Sequence, residues 1–87
     1  MAFHATLWTY PGKGGWTFVD VPESHAPAFA GPWGRTPVIA TVDGVRFETS
    51  VWRERSGRTL LPVAKKIRGV KGAGNVVEVE IEAQEGG

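Results

Sequence analysis

The stretch from Leu61 to Glu82, LPVAKKIRGVKGAGNVVEVEIE, constrains the fold more than any other part of the chain. Pro62 has no N–H to give a sheet and stops one extended element. From Val63 to Arg68 the chain suits one or two turns of helix, with Val63 and Ile67 four apart on the buried side and Lys65, Lys66 and Arg68 around them. Gly72 and Gly74 break that turn. The remainder alternates, with Val77, Val79 and Ile81 to one side and Glu78, Glu80 and Glu82 to the other, as a half-buried strand requires.

The other strands are shorter signals. Phe3 to Tyr10 alternates, Phe3, Ala5 and Leu7 on one face and His4, Thr6 and Trp8 on the other. Pro11 to Gly15 reads as a turn and Trp16 to Val21 as its return strand, so residues 3–21 are expected to form a hairpin with Trp16 and Phe18 in the core. Pro22 ends it, and the Pro-rich residues 23–33 are expected to be a loop with at most one helical turn. Pro37–Val42 and Val45–Trp52 flank Asp43-Gly44, the two-residue signature of a type I′ hairpin. On the second strand Val45, Phe47, Thr49 and Val51 share a face. Gly57 marks a turn, and Thr59–Leu61 a short strand. Six or seven strands with almost no helix predict an all-β small barrel, whose closure removes exposed edges, with one short helix near residues 63–69.

At 87 residues the chain has room for one domain, assigned to 1–83 with 84–87 as a frayed tail, and such a domain buries a little over ~60% of its unfolded surface. With no cysteine, disulfides, thiolate metal sites and cysteine nucleophiles are excluded, and a reducing cytoplasm is the expected setting. Met1–Ala5 lacks a signal-peptide layout and no apolar run nears the ~20 residues of a membrane span, so no membrane partner is expected. The net charge of +1 conceals an uneven distribution. Nine Lys and Arg lie between Arg35 and Lys71 against Asp43, Glu48 and Glu54, and the last segment carries Glu78, Glu80, Glu82 and Glu85. The basic centre is expected to meet the acidic strand 76–82 within the fold or across a homodimer axis; a polyanion is the alternative.

WTFVDVP at 16–22, GRTPVIATVDGVRFETSVW at 34–52 and LPVAKKIRGV at 61–70 resemble, in that order, the DUF1905 family of small bacterial proteins. The resemblance implies a double-split β-barrel and no established activity. In longer members the domain precedes a bacteriocin-protection segment, which is not expected in a chain ending at Gly87. The family's Gly-Asp pair before the last strand is Gly74-Asn75 here, which suits a tight turn but supplies no carboxylate. Over about twenty residues, Leu61-Pro62, Lys65, Lys66, Arg68 and Gly74-Asn75 are similar to the hairpin of AbrB- and MazE-type DNA-binding proteins.

Three surface sets are candidate sites. Lys65, Lys66, Arg68 and Lys71 suit phosphate contacts, or, more plainly, the dipole of a helix end. Arg46, Arg53, Arg55 and Arg58 surround the strand that ends at Trp52, where Arg and Trp together suit a stacked base; the plainer reading pairs them with Glu48 and Glu54. Trp8, Trp33, Trp52 and Arg35 suit the mouth of a small-ligand barrel; the plainer reading has the tryptophans fill so small a barrel themselves. No catalytic set emerges: His4 and His25 lack carboxylates at ligand spacing, and Gly12–Gly15 lacks the phosphate-loop pattern, so neither metal nor cofactor is expected. The sequence therefore predicts a non-catalytic binding or interaction domain, with Arg35, Trp52, Arg55, Lys65, Lys66 and Arg68 as candidate binding residues. A nucleic-acid-binding barrel using the basic 53–71 region, or a small-ligand barrel, is the alternative.

Overall fold

A computed structural model describes residues 1–12, 14–27 and 34–83. They form seven strands: β1 (Ala2–Thr6), β2 (Trp8–Thr9), β3 (Thr17–Val21), β4 (Arg35–Val42), β5 (Val45–Arg53), β6 (Thr59–Pro62) and β7 (Val76–Ala83). A 3-10 turn at Glu23–His25 and a single-turn helix α1 (Lys65–Arg68) complete the described elements. All pairings are antiparallel in the order β1-β7-β4-β5-β6-β3-β2. The two end strands, β1 and β2, are consecutive in the chain, so the sheet curls into a nearly closed barrel, the all-β architecture predicted.

The closure corrects the expected hairpin over 3–21. The first extended segment bends at Leu7, sending β1 to β7 (Phe3 opposite Val79) and β2 to β3 (Trp8 opposite Phe18). Leu7 meets the turn before β7: its N–H donates to the Asn75 carbonyl at 2.8 Å, and its carbonyl accepts from the Gly74 N–H at 2.8 Å. Its side chain is buried in the core. The break is thus imposed by a turn far along the chain, which no local alternation announces.

The interior is filled by small branched residues, principally Val19, Val21, Val38, Val42, Val51, Leu61, Val63, Val77 and Val79, with Phe3 and Leu7. Such side chains fit the narrow space between curled walls, where tryptophan would not. This places Thr17, Val19 and Val21 of β3 inward, and overturns the expectation that Trp16 and Phe18 are core residues: Trp16 is exposed and Phe18 half-buried. Alternation identified the strand correctly and its inward face incorrectly, because large aromatics pack on either face of a sheet. On β7 the expected inward set holds, with Val77 and Val79 buried and Ile81 packed against the core.

The β4–β5 hairpin turns at Asp43 and Gly44, both at positive φ (47° and 86°), as a type I′ turn requires. Asp43 also clamps this turn to β7. Its Oδ1 accepts from the Glu78 N–H and its Oδ2 from Lys71 Nζ, both at 2.8 Å, while its own N–H donates to the Glu78 carbonyl at 2.9 Å. The Glu78 N–H first, then the Lys71 ammonium, lower the Asp43 pKa below its ordinary value. The helix is a single turn, Lys65–Arg68, within the 63–69 window, and Ile67 packs against the core beside the buried Val63. The expected tail, 84–87, lies outside the described residues.

Candidate binding site

Since Val19, Leu61 and Val51 point into the barrel, alternation turns Phe18, Asp20, Leu60 and Trp52 outward. Register then aligns Asp20, Leu60, Trp52 and Arg35 side by side across β3, β6, β5 and β4. Trp8, Phe18 and Pro62 form a second row across β2, β3 and β6. Leu60 stands at the centre of this outer wall, 3% exposed although it lies outside the main cluster of core residues.

Aromatic rings surround it. Phe18 lies 5.5 Å from Trp8, 6.0 Å from Tyr10 (edge-on) and 6.3 Å from Trp16 (stacked), within the range of favourable ring pairs. A cleft of about 340 Å³ opens between Tyr10, Trp16, Phe18, Trp52 and Leu60. Trp16 stands on the glycine-rich turn, where a Cβ on Gly14 would come within 3.0 Å of Trp16 Cδ1. Gly14 is suited to that position because the indole lies against its backbone and its φ of 92° is one that glycine alone adopts readily.

Polar groups edge the wall. Trp8 Nε1 and Arg58 Nη2 donate to the same Asp20 Oδ1, at 2.8 and 3.0 Å, and the Arg58 guanidinium lies 4.9 Å from the Trp8 ring centre. The hydrogen bond to Asp20 is the main cause raising the Arg58 pKa. At the opposite edge Arg35 lies 5.7 Å from the Trp52 ring centre and donates from Nε to Ser50 Oγ at 3.3 Å.

The predicted site residues divide accordingly. Arg35 and Trp52 are brought together, on the outer wall and not at a barrel mouth; Trp8 joins them at its far edge, and Trp33 lies outside the described residues. Lys65, Lys66 and Arg68 line a second cleft, which Trp16 and Pro62 also line. Arg68, however, holds its own loop together, donating from Nε to the Val63 carbonyl at 3.3 Å and from Nη1 to the Lys71 carbonyl at 2.9 Å. Arg55 sits on the turn after β5 and lines none of these clefts. The Arg pairing expected with Glu54 is found at Arg58, at 3.8 Å, while Arg46 reaches Glu82 at 3.3 Å, so the basic centre and acidic strand do meet within the chain.

Sequence reasoning missed Tyr10, Trp16, Phe18 and Leu60 as site residues. The available signal was Leu60-Leu61: adjacent leucines in a four-residue strand mean that both faces are covered. Among the described residues no three His, Asp or Glu side chains gather as a metal site. No described helix is long and apolar enough to cross a membrane.

The family comparison covers nearly the whole barrel. Residues 3–81 of the 87 match the family model described as Domain of unknown function (DUF1905). The chain belongs to that family. The match begins inside β1 and ends inside β7, so all or most of each strand and the whole aromatic wall lie within it. None of the curated proteins compared with this DUF1905 chain matches it.

Proposed function

We propose that this DUF1905 domain is a binding module and not a catalyst, and that its ligand seats on the aromatic wall around Trp16. The supporting observation is the contrast at Leu60, which is buried while Trp16, Tyr10 and Trp52 above it stay 61, 47 and 41% exposed. Folding accounts for covering Leu60. It does not account for holding three large rings in water, where each square ångström of apolar surface forgoes about 25 cal/mol that a ligand would recover. An apolar floor with polar groups confined to its edges is also how small-molecule and peptide sites are usually built. The cysteine-free composition supports a cytoplasmic setting.

The test is to titrate the isotope-labelled domain with a set of planar and aliphatic fragments while following backbone amides and tryptophan indole N–H resonances. Fragments are expected to move Trp16, Trp52 and Leu60 and to leave Val77–Ile81 in place. Fragments that ignore the wall, or scatter over the surface, would overturn the reading.

A further inference from the structure

We infer that the ligand class is single-stranded nucleic acid, its bases stacked on Trp16 and Trp52 and its phosphates met by Lys65 and Lys66 at one end and Arg35 at the other. This rests on the binding reading above and adds the chemistry of the partner.

The wall's cleft is one part of a longer trough. Beside it, about 460 Å³ opens between the Gly14-Gly15 turn and α1, lined by Trp16, Phe47, Pro62, Lys65 and Lys66. Another 460 Å³, adjoining that space at Trp16, Glu48 and Thr49, lies between Trp16, Arg35, Pro37, Ser50 and Trp52. Trp16 borders all three spaces, and the Val63 N–H bond to the Thr17 carbonyl, 2.9 Å, fixes the chain leading into α1 beside it. A trough of this extent suits a strand of several units better than a lone metabolite.

Charge selects among extended ligands. Arg46, Arg58 and Lys71 are engaged by Glu82, by Asp20 with Glu54, and by Asp43; Arg68 is engaged by carbonyls. Lys65 and Lys66 are exposed and have no acidic partner within 4.0 Å among the described residues, and Arg35 is exposed on the face of Trp52. Of the cations without an acidic partner among the described residues, Lys65, Lys66 and Arg35 line the trough and stand at its two ends with rings between them, while Arg53 and Arg55 lie off it. Glu48 is the one acid lining the trough among the described residues, and it stands in the middle. A polyanion without aromatic groups can use only the cationic ends of that layout. A single strand also offers the flat faces of its bases to the rings between them, and aromatic stacking tolerates any base. A duplex keeps its base faces hidden from the rings.

The experiment is fluorescence anisotropy of the whole chain with labelled single-stranded DNA and RNA of about ten nucleotides, inside the ~4–16 that small barrels take. The matching duplex and heparin are run beside them across a salt series from about 50 mM. Expected are binding to the single strands with quenched tryptophan emission, weaker duplex binding, and about tenfold loss for Trp16→Ala. The slope of log affinity against log salt should be about −2 for three phosphate contacts and about −0.7 in Lys65→Gln/Lys66→Gln. No retention of either single strand at low salt overturns the inference, as does equal binding of heparin and duplex that Trp16→Ala leaves untouched. If Trp16→Ala does not fold, the salt slope of the lysine variant decides alone. Should nucleic acid fail while fragments still map to the wall, the binding reading survives and only its chemistry falls; should both fail, the wall is not a site.

Discussion

The two outer walls of this barrel belong to one sheet and face the same solvent, yet they are built oppositely. Around β7 the outward positions are His4, Glu78, Glu80 and Glu82, and their contacts are ion pairs: Arg46 with Glu82 at 3.3 Å, the N-terminus with Glu80 at 4.0 Å. Around β6 the outward positions are Phe18, Leu60, Pro62 and Trp52, flanked by Trp8, Tyr10 and Trp16. The inner faces of both walls are the same valine-rich lining. Folding thus constrains the inside alike everywhere, and the acidic wall shows what the outside looks like when solubility is its only task. The aromatic wall carries apolar surface beyond that need, and this difference between the walls is what supports the proposed binding site.

Substitutions matched across the walls sharpen or break this contrast. The largest effect is expected at Leu60. Leu60→Ala should cost about 2 kcal/mol, toward the lower end of buried-leucine truncations because the rings above can settle into the space, whereas Glu80→Ala should stay within about 0.5 kcal/mol. Urea unfolding of the two variants measures it, and equal losses would mean the walls are not distinct. Asp43→Asn, at the turn clamped to β7, should cost about 1 kcal/mol at neutral pH, since one charge-assisted bond is lost while the tight turn still tolerates Asn. The folded Asp43 carboxyl holds its proton less tightly than the unfolded one. Its stabilisation is therefore complete above the ordinary value of 3.8 and drains away as the pH falls below it, so the stabilities of parent and variant should converge in acid. A gap that persists in acid would mean the charge is irrelevant. Smallest is Glu82→Gln, which removes an exposed pair and should change stability by about 0.5 kcal/mol or less, vanishing in high salt. A larger, salt-resistant loss would give the acidic wall a structural role it lacks here.

These regions also differed in how far the sequence disclosed them. The Asp43-Gly44 turn and the Val-Glu alternation of β7 were legible because their signals are local: positive φ at two residues, and a period of two with opposite chemistries on the two faces. The bend at Leu7 was not, because it answers to the Gly74-Asn75 turn across the barrel. Nor was the parity of β3. Both Thr17-Val19-Val21 and Trp16-Phe18 are plausible inward sets, and only the width of the closed barrel selects the smaller one. Arg35 and Trp52 were named together from the sequence, and register explains their adjacency. Lys65 and Lys66 could not be separated from Arg68 by spacing alone, since what distinguishes Arg68 is its grip on two carbonyls of its own loop.

The central claim is that Trp16 serves a ligand and not the fold. The most direct measurement sets the equilibrium stability of Trp16→Ala beside its response to the fragments that bind the parent wall. A stability within about 1 kcal/mol of the parent, the scale of its ring contact with Phe18, together with loss of fragment binding, is the expected result. A variant destabilised by several kcal/mol, or one that binds the fragments as the parent does, would contradict it.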